Sequence, residues 1–480
     1  MDTNQPIAEL ARQWGLPLDE MRQLGQRLKR FYDRFRSCMR TKTRDTSDYG
    51  LQYVSGLLRM ETGRTMANIG RKADVSKQNM HHFMSNSPWS GPTLVTAIQD
   101  EVKRHPEFQA GAMLVLDESA EERAGDHSAG AARQHNGRLG KVEMSQVGVF
   151  LSLATPRAHT WIDGELYIPK HWFDEAYAER REKAEIAETR TFQTKPELGW
   201  QMIQRVVAHQ VPFDAVVMDD LYGRNDVLRE RLDQAGIEYY GDIPANTILY
   251  LDKPRIVYPQ TRRGKRSKQP QIVAQQRYEA RQLLHHPELK WTSITLRPNE
   301  RGLLIAQFTR CRVWTVHGTH CRQEWLLIRR DGQRITYVLS NAAADTSLET
   351  MAWRKSHRYF IERDNQDAKS EIGWDEFQAI RYRAWEHQLA LTILASWFIT
   401  ETRLDWMSRF ERDPALLEQY EVDVLPMLSV SNVRELLRAA MPLPQLSTQE
   451  AAALVVEHLV NRTRSRRSRL REQRRRVPEM

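Results

Sequence analysis

The sequence predicts an α/β fold in which a mixed sheet is flanked by helices, with a helical N-terminal domain and a β-rich insertion. Between residues 113 and 243, short apolar runs alternate with amphipathic helical stretches, which is typical of a sheet covered by helices. Residues 1 to about 105 show helical periodicity. Between residues 250 and 345, β-branched and aromatic residues alternate with Arg and Lys, which predicts strands with basic edges.

The composition favours a globular protein with an anionic partner. The 480-residue chain has 40% hydrophobic and 28% charged residues, enough for a large core. Its formal net charge of +9 favours nucleic acid first and an anionic membrane surface second. The cysteines, Cys38, Cys311 and Cys321, exclude a disulfide framework and suit a reducing compartment. The polar N-terminus does not resemble a signal peptide, and no apolar run approaches the length of a membrane helix, so we expect a cytoplasmic protein without membrane contact.

In the N-terminal part, the apolar spacing predicts two short helices around a tight turn between residues 65 and 84, with Ser76 as N-cap of the second. This pattern resembles a helix-turn-helix, although Asp74 stands where a turn glycine is common. An ordinary helical hairpin is the alternative. The outward residues of the second helix are of types that read base edges or phosphates, and they include Lys77, Gln78 and Asn79.

In the α/β part, two strand-like runs each end in an acid. Residues 113–116 precede Asp117, and residues 215–218 precede Asp219. Because parallel strands present their C-terminal ends at one edge of a sheet, we expect both carboxylates at the same edge. Asp220 is the rival of Asp219 for this position.

A third carboxylate lies on a predicted helix over residues 357–369. At about 100° per residue, Arg358, Glu362 and Lys369 fall on one face of that helix. Alone, this pattern indicates a solvated ion-pair face. With the two aspartates, it predicts a site for Mg²⁺ or Mn²⁺, which prefer oxygen ligands. Two such ions can activate a water and stabilise the leaving oxygen of a phosphodiester.

On this interpretation each side chain has a separate role. Asp117 bridges the two ions, while Asp219 and Glu362 each complete the coordination of one of them. Arg358 and Lys369 flank the site as phosphate clamps, the first by bidentate hydrogen bonding and the second as a point charge.

The insertion offers a second candidate metal site, because four possible zinc ligands lie close together in its sequence. Their spacing matches no standard zinc pattern, and a β-hairpin with Gly318 in its turn is the alternative. The four residues are Cys311, His317, His320 and Cys321.

Four blocks of the sequence together resemble bacterial insertion-sequence transposases of the DDE type, which have a ribonuclease-H-like catalytic core. The second block resembles the family's A-D-x-x-Y-G pattern, and alignment on its Tyr-Gly pair selects Asp219. The third matches the R-E-K part of a Y-R-E-K signature, but Lys355 replaces the tyrosine, whose contact is then absent or supplied by Tyr359. The blocks are Asp117 to Gln146, which includes Arg133; Met218 to Gly223; Arg358, Glu362 and Lys369; and Arg381, Trp385 and His387.

The resemblance implies cut-and-paste DNA transposition. Such an enzyme binds terminal inverted repeats, hydrolyses the phosphodiesters at the element ends with two Mg²⁺ or Mn²⁺ ions, and joins the 3′-OH ends to target DNA by transesterification. It also implies double-stranded DNA as partner, a homodimer in a synaptic complex, and association with the nucleoid. A tryptophan of the insertion, Trp314 or Trp325, could stack on a flipped base, although strand tryptophans are more often part of a core. The alternatives are a catalytically silent DNA-binding regulator and another ribonuclease-H-like nuclease.

The predicted organisation has four parts. A helical DNA-binding domain covers residues 1–105, and the catalytic core covers 106–249 and 346–402. The β-rich basic insertion covers 250–345, and a helical C-terminal region with an Arg-rich tail covers 403–480. The insertion opens with a basic stretch expected to contact phosphates, which contains Arg262, Arg263, Lys265 and Arg266.

Overall fold

A computed structural model describes most of the chain, and the chain divides into two compact units, residues 1–441 and 442–480. Unit 442–480 is described only in short pieces, and its described arginines between residues 462 and 471 are exposed. The described residues are 6–137, 139–259, 271–274, 276–299, 302–445, 447–449, 452–453, 455–456, 459–460, 462–464, 466–467 and 471.

Sixteen helices lie in the described part of unit 1–441. The N-terminal part is helical, as predicted. Its helices are α1 (Ile7–Gln13), α2 (Leu18–Arg22), α3 (Leu24–Asp33), α4 (Ser47–Arg59), α5 (Met66–Lys72), α6 (Lys77–Ser85) and α7 (Gly91–Val102). The others are α8 (Ala178–Lys183), α9 (Lys195–Ala208), α10 (Asp220–Gly223), α11 (Asp226–Gln234), α12 (Leu348–Ser356), α13 (Arg358–Ser370), α14 (Tyr382–Arg409), α15 (Ala415–Gln419) and α16 (Val430–Ala440). Short 3-10 helices cover Arg36–Met39, Pro106–Phe108, Lys170–Phe173, Glu175–Tyr177, Ala280–His285 and Trp374–Glu376.

The long helix α14 is buried along most of its length. The N-terminal helices pack against it. Phe31 of α3 meets Phe398 edge-on with ring centroids 5.2 Å apart, and the Tyr53 hydroxyl of α4 donates to the Gln388 side chain at 2.7 Å. The N-terminal helices therefore share a core with the helix that follows the candidate site.

A ten-stranded mixed sheet forms the centre of unit 1–441, so the predicted fold class is confirmed. Its order is β11-β12-β13-β14-β6-β5-β1-β3-β2, with β4 paired to β3. Strands β1, β5 and β6 are parallel neighbours. The strands are β1 (Met113–Glu122), β2 (Ala132–Asn136), β3 (Lys141–Ala154), β4 (His159–Tyr167), β5 (Ala215–Met218), β6 (Tyr239–Ile243), β7 (Ile248–Leu249), β8 (Arg255–Val257), β9 (Gln271–Val273), β10 (Tyr278–Glu279), β11 (Thr292–Asn299), β12 (Gly302–His317), β13 (His320–Asp331) and β14 (Arg334–Ser340).

The β-rich insertion continues the central sheet, because β14 pairs antiparallel with β6 through registers such as Val338↔Asp242. The runs at residues 302–308 and 312–316 belong to the single strand β12. No turn interrupts it, because its pairing with β13 is continuous from Gln307 to His317. A buried ion pair between Arg229 of α11 and Glu324 of β13, 3.1 Å apart, ties the insertion to the core.

Two glycines allow α10 to pack on β6. A Cβ atom at Gly223 would lie 2.0 Å from the carbonyl oxygen of Asp242 and 2.6 Å from the carbonyl carbon of Gly241. These are backbone atoms, so the contact cannot be relieved by a side-chain rotation. The close approach brings the end of β5 and the end of β6 to the same edge of the sheet.

We therefore expect Gly223→Ala to destabilise the protein by about 3 kcal/mol, since overpacking at an unyielding contact shifts the backbone. Thermal unfolding followed by circular dichroism measures the effect. Gly125→Ala is the control, because a Cβ there meets nothing within 4 Å, and we expect it to change stability by less than about 0.5 kcal/mol. Equal stability of the two variants would contradict the packing described here.

Candidate active site

Asp117 and Asp219 lie side by side at the edge where β1 and β5 run parallel. Leu116 pairs with Met218, so the next residue on each strand is an aspartate. Strand β5 ends before Asp219, whose Oδ1 accepts hydrogen bonds from the backbone N–H groups of Leu221 and Tyr222 at 3.0 and 3.3 Å. It thereby caps α10.

The structure changes two details of the predicted edge. Asp117 does not end its strand, because β1 continues to Glu122 in pairing with β3. Asp220, the rival of Asp219, is exposed, whereas Asp219 is partly buried.

Burial raises the pKa of both carboxyl groups. For Asp117, desolvation is the largest cause and repulsion by Asp219 is the second, and together they raise the pKa to about 7. For Asp219, desolvation raises the pKa to about 6, against the opposing charge of Arg358. The site therefore concentrates negative charge that ordinary solvation does not stabilise, which is typical of functional sites.

Helix α13 brings Arg358 and Glu362 to the same place. Nη1 of Arg358 donates to Oε1 of Glu362 at 2.5 Å, one helical turn away. The same guanidinium lies 4.0 Å from Oδ2 of Asp117 through Nη2. The predicted meeting of this helical face with the two strand ends is thus present in the fold, although Glu362 contacts Arg358 and its side chain is half-exposed.

The sequence analysis missed a fourth carboxylate, Asp242, at the end of β6. Its Oδ2 lies 3.5 Å from Nε of Arg358 and accepts a hydrogen bond from Nζ of Lys355 at 2.9 Å. Lys355 stands where the related signature has tyrosine, and burial lowers its pKa. The signal was available, because residues 239–242 repeat the pattern of a short strand followed by an acid.

Tyr359 is the other residue that could supply the contact of the signature tyrosine, but it contacts a different part of the protein. Its ring is 45% exposed, and the Arg297 guanidinium of β11 stacks on it at 4.0 Å from the ring centroid. Lys355, rather than Tyr359, therefore faces the carboxylate edge of the sheet.

Comparison with known proteins agrees with this arrangement. A family model described as "DDE superfamily endonuclease" matches residues 30–303, more than half of the chain. The chain belongs to the DDE superfamily of endonucleases. The matched segment contains Asp117 and Asp219 but ends before α13, so the family match does not reach Glu362.

A relative of this DDE endonuclease is a protein of Microchaete diplosiphon described as "Probable transposase for insertion sequence element IS701". The two chains are 26% identical over 194 residues, which is 38% of this chain and 45% of the relative. The match therefore spans less than half of the relative's length.

The donor set of the DDE site fits a hard divalent cation. Asp117 and Asp219 offer carboxylate oxygens in a setting whose burial disfavours their charge, and Glu362 offers a third carboxylate beside them. As the side chains stand, no group of three His, Cys, Asp or Glu residues within the described ranges is gathered closely enough to hold a metal ion. Glu362 is drawn towards Arg358 instead, so a rotation of its side chain is needed to complete the set.

Lys369, the other predicted phosphate clamp, is occupied within the protein. Its Nζ donates to the backbone oxygen of Ala120 at 3.0 Å and lies 3.1 Å from Oε1 of the buried Glu121. Both partners lie on β1, a few residues beyond Asp117. In this structure Lys369 fastens the C-terminal half of α13 to the strand that carries Asp117.

The N-terminal segment forms two short helices, α5 and α6, around a tight turn, an arrangement common to a helix-turn-helix and an ordinary helical hairpin. Asp74 adopts a left-handed conformation with φ of 54°, which an aspartate tolerates better than most residues. The Ser76 side chain caps α6 by accepting from the Asn79 N–H at 3.2 Å. The side chains of the predicted reading residues Lys77, Gln78 and Asn79 are exposed on α6.

The remaining predicted phosphate contacts fall in two groups. Arg133 is exposed on β2, at the edge of the sheet beyond β3. The basic stretch with Arg262, Arg263, Lys265 and Arg266 lies outside the described residues. No helix in the described part of the chain is both long and apolar enough to cross a membrane.

The four candidate zinc ligands lie on a β-hairpin, which is the alternative to a zinc site that the sequence offered. Gly318 lies in its turn with φ of +56°. His317 pairs with Asp226 of α11. Cys321 donates to the backbone oxygen of Pro254, while Cys311 packs against the apolar core of the insertion. His317 and His320 both lie 3.6 Å from Glu230, so the two histidines share a carboxylate while the two cysteines contact other parts of the protein.

Trp314 and Trp325, the two candidates for base stacking, are each partly buried. Trp325 carries the guanidinium groups of Arg310 and Arg312 at 4.2 and 3.9 Å from its ring centroid. Lys253 lies 5.2 Å from the ring centroid of Trp314.

Proposed function

We propose that this DDE endonuclease is a DNA transposase that binds terminal inverted repeats, cleaves the phosphodiesters at the element ends, and joins the 3′-OH ends to target DNA. The observation that carries the proposal is that Asp117 and Asp219 lie side by side at one edge of a mixed sheet, where Arg358 contacts Glu362 and lies 4.0 Å from Asp117. The printed description of the Microchaete diplosiphon relative supports transposition. The positive net charge and the exposed polar face of α6 support a DNA substrate.

The proposed chemistry needs two divalent cations, Mg²⁺ or Mn²⁺, which supply a polarised water or hydroxyl and stabilise the leaving oxygen. Asp117 would hold both, and Asp219 and Glu362 one each. The hydrogen bonds from Leu221 and Tyr222 fix one oxygen of Asp219 and leave the other for a ligand. Burial of Asp117 and Asp219 excludes water from their inner side, so their charge is directed towards the substrate.

Both reaction steps are phosphoryl transfers. Hydrolysis at an element end leaves a 3′-hydroxyl, and that hydroxyl then attacks a phosphodiester of the target in the same site. Arg358 lies beside the carboxylates and can donate two parallel hydrogen bonds to a phosphate. The DNA duplex would be held by α6, by Arg133, by the basic stretch at 262–266 and by the arginine-rich tail.

We further propose that two copies act together as a homodimer in a synaptic complex, since two element ends must be cut and joined together. For each copy we propose the four-part domain organisation that the sequence predicts. The protein would act in the cytoplasm, at the nucleoid when bound to DNA.

Cleavage by Glu362→Gln tests this function. The variant keeps the shape of the side chain and removes the charge that would hold a metal. We expect a labelled duplex ending in the inverted repeat of the element to be cut by the wild type with Mg²⁺ and to be bound but not cut by the variant, with a loss of about 10³-fold or more. Equal cleavage by both proteins would refute the site, whereas binding by both without cleavage would favour the silent regulator.

Deletion of residues 461–480 tests the tail. The segment 461–476 holds nine arginines, so its removal should lower the affinity for any duplex and flatten the dependence of log K on log salt concentration by several units. Fluorescence anisotropy across a salt series measures this slope. The matched control is the replacement of Lys77, Gln78 and Asn79 by Ala, which should mainly reduce the preference for element ends over random DNA. An unchanged slope after the truncation would show that the tail does not contact DNA.

A further inference from the structure

The guanidinium of Arg358 stands among three carboxylates of the DDE site. It contacts Glu362 at 2.5 Å, lies 3.5 Å from Asp242, and lies 4.0 Å from Asp117. Its charge also acts on Asp219, whose pKa it lowers against the effect of burial. A positively charged side chain of the protein, that of Arg358, therefore lies among carboxylates that could bind a metal ion.

The contact with Glu362 differs from the other two in its exposure. The Glu362 side chain is 51% exposed, whereas those of Asp117 and Asp242 are 12% and 19% exposed. The Arg358–Glu362 pair is thus the outermost of the three, and an i,i+4 pair at this exposure contributes little to stability. It is the contact that a competing cation can break most easily.

Two positive charges within about 4 Å of each other repel strongly when their surroundings are partly buried. A divalent ion bound to Asp117 and Glu362 would lie close to the guanidinium as it stands. Arg358 must then release Glu362 and retain another anionic partner, because an unpaired guanidinium at this depth is costly.

Asp242 provides that partner. It lies on β6, beside the strand that leads to Asp219, and its Oδ2 is 3.5 Å from Nε of Arg358. Lys355 fixes its carboxylate through the 2.9 Å hydrogen bond. No motif of the sequence and no comparison assigns a role to the contact between Asp242 and Arg358.

We propose that Arg358 is a built-in counter-ion that competes with the metal for Glu362 and Asp117, and that Asp242 is the positioning residue that retains Arg358 when the metal binds. The inference rests on the proposed function, since it takes the DDE carboxylates as metal ligands. Removal of Arg358 then tightens metal binding. Removal of the Asp242 charge weakens metal binding, because Arg358 then stays paired with Asp117 and Glu362, for which it competes with the metal.

The test is Mn²⁺ affinity of the full-length protein without DNA, measured by electron paramagnetic resonance of free Mn²⁺ at about pH 8.5, above the pKa values of Asp117 and Asp219 in the wild type. We expect Arg358→Gln to bind Mn²⁺ at least about fivefold more tightly than the wild type, and Asp242→Asn at least about threefold more weakly. Arg363→Gln is the matched control, since Arg363 lies on the same helix and pairs with Asp367 instead. Its affinity should equal that of the wild type.

The double variant separates positioning from direct ligation. If Asp242 acts through Arg358, the weakening caused by Asp242→Asn shrinks in the Arg358→Gln background. Equal weakening in both backgrounds would overturn the positioning role. Arg358→Lys keeps the positive charge on a shorter side chain and should bind Mn²⁺ with intermediate affinity. It provides a second measurement if Arg358→Gln does not fold.

Two further outcomes are distinguishable. Mn²⁺ binding that Asp117→Asn abolishes but Arg358→Gln leaves unchanged or weakens would overturn the counter-ion and preserve the proposed metal site. Absence of Mn²⁺ binding that depends on Asp117 would overturn both the counter-ion and the metal-dependent function.

Discussion

Asp117→Asn is expected to abolish DNA cleavage and, at the same time, to raise the thermal stability of the metal-free protein. The carboxylate is buried and its charge is disfavoured first by desolvation and then by Asp219, with Arg358 compensating only in part. The neutral amide removes that cost, so we expect stabilisation of about 1–3 kcal/mol and a rise in Tm of a few degrees. Cleavage should fall by about 10³-fold or more, because a bridging ligand is lost.

The matched control is Asp220→Asn, which changes the exposed neighbour of Asp219. We expect it to leave both Tm and cleavage close to those of the wild type. Differential scanning calorimetry and the labelled-end cleavage assay measure the two properties. A loss of stability in Asp117→Asn would contradict the electrostatic description of the site, and loss of cleavage in Asp220→Asn would move the second ligand to Asp220.

The second large effect is a pH dependence of stability that divalent metal reverses. The folded-state pKa of Asp117, about 7, and that of Asp219, about 6, lie above the value of about 3.9 for an unfolded aspartate. Between these values the native state binds more protons than the unfolded state, so the stability contributed by these groups falls as the pH rises from about 4 to about 7. The expected loss is on the order of a few kcal/mol.

Other groups act in the same pH range, so the difference between the wild type and Asp117→Asn is the quantity to measure. Burial lowers the pKa of His357 and His387 to about 4, and this makes stability rise as the pH approaches 6.5 in both proteins. We expect the wild type to lose stability relative to Asp117→Asn between about pH 4 and 7, and Mn²⁺ to restore it most strongly at the upper end. A difference that is flat with pH, or that rises, would contradict the raised pKa of Asp117.

Local patterns in the sequence were enough to predict several features of the fold and the site. The strand-then-acid pattern predicted that Asp117 and Asp219 meet at one edge, because parallel pairing places strand ends together. The helical spacing placed Arg358 and Glu362 on one face of α13. The α/β fold class and the family resemblance are confirmed as well.

The features that the sequence did not predict depend on long-range contacts. Lys355 and Asp242 are 113 residues apart, and their pairing follows from the packing of α12 against the sheet at β5, β11 and β12, which no local pattern records. Lys369 and Ala120 are 249 residues apart, so a lysine predicted to bind phosphate was found fastening α13 to β1. The continuation of the sheet through β14 likewise depends on its pairing with β6, and the alternating pattern of the insertion is compatible with a separate sheet.

The most direct test of the central claim is an anomalous-difference map from crystals of the protein soaked with Mn²⁺. We predict a peak between the carboxylates of Asp117 and Asp219, with Glu362 turned from Arg358 towards the metal and Arg358 retained by Asp242. A map without a peak at this edge of the sheet, under conditions in which the protein cleaves DNA, would contradict the assignment of these three residues as the metal-binding catalytic site.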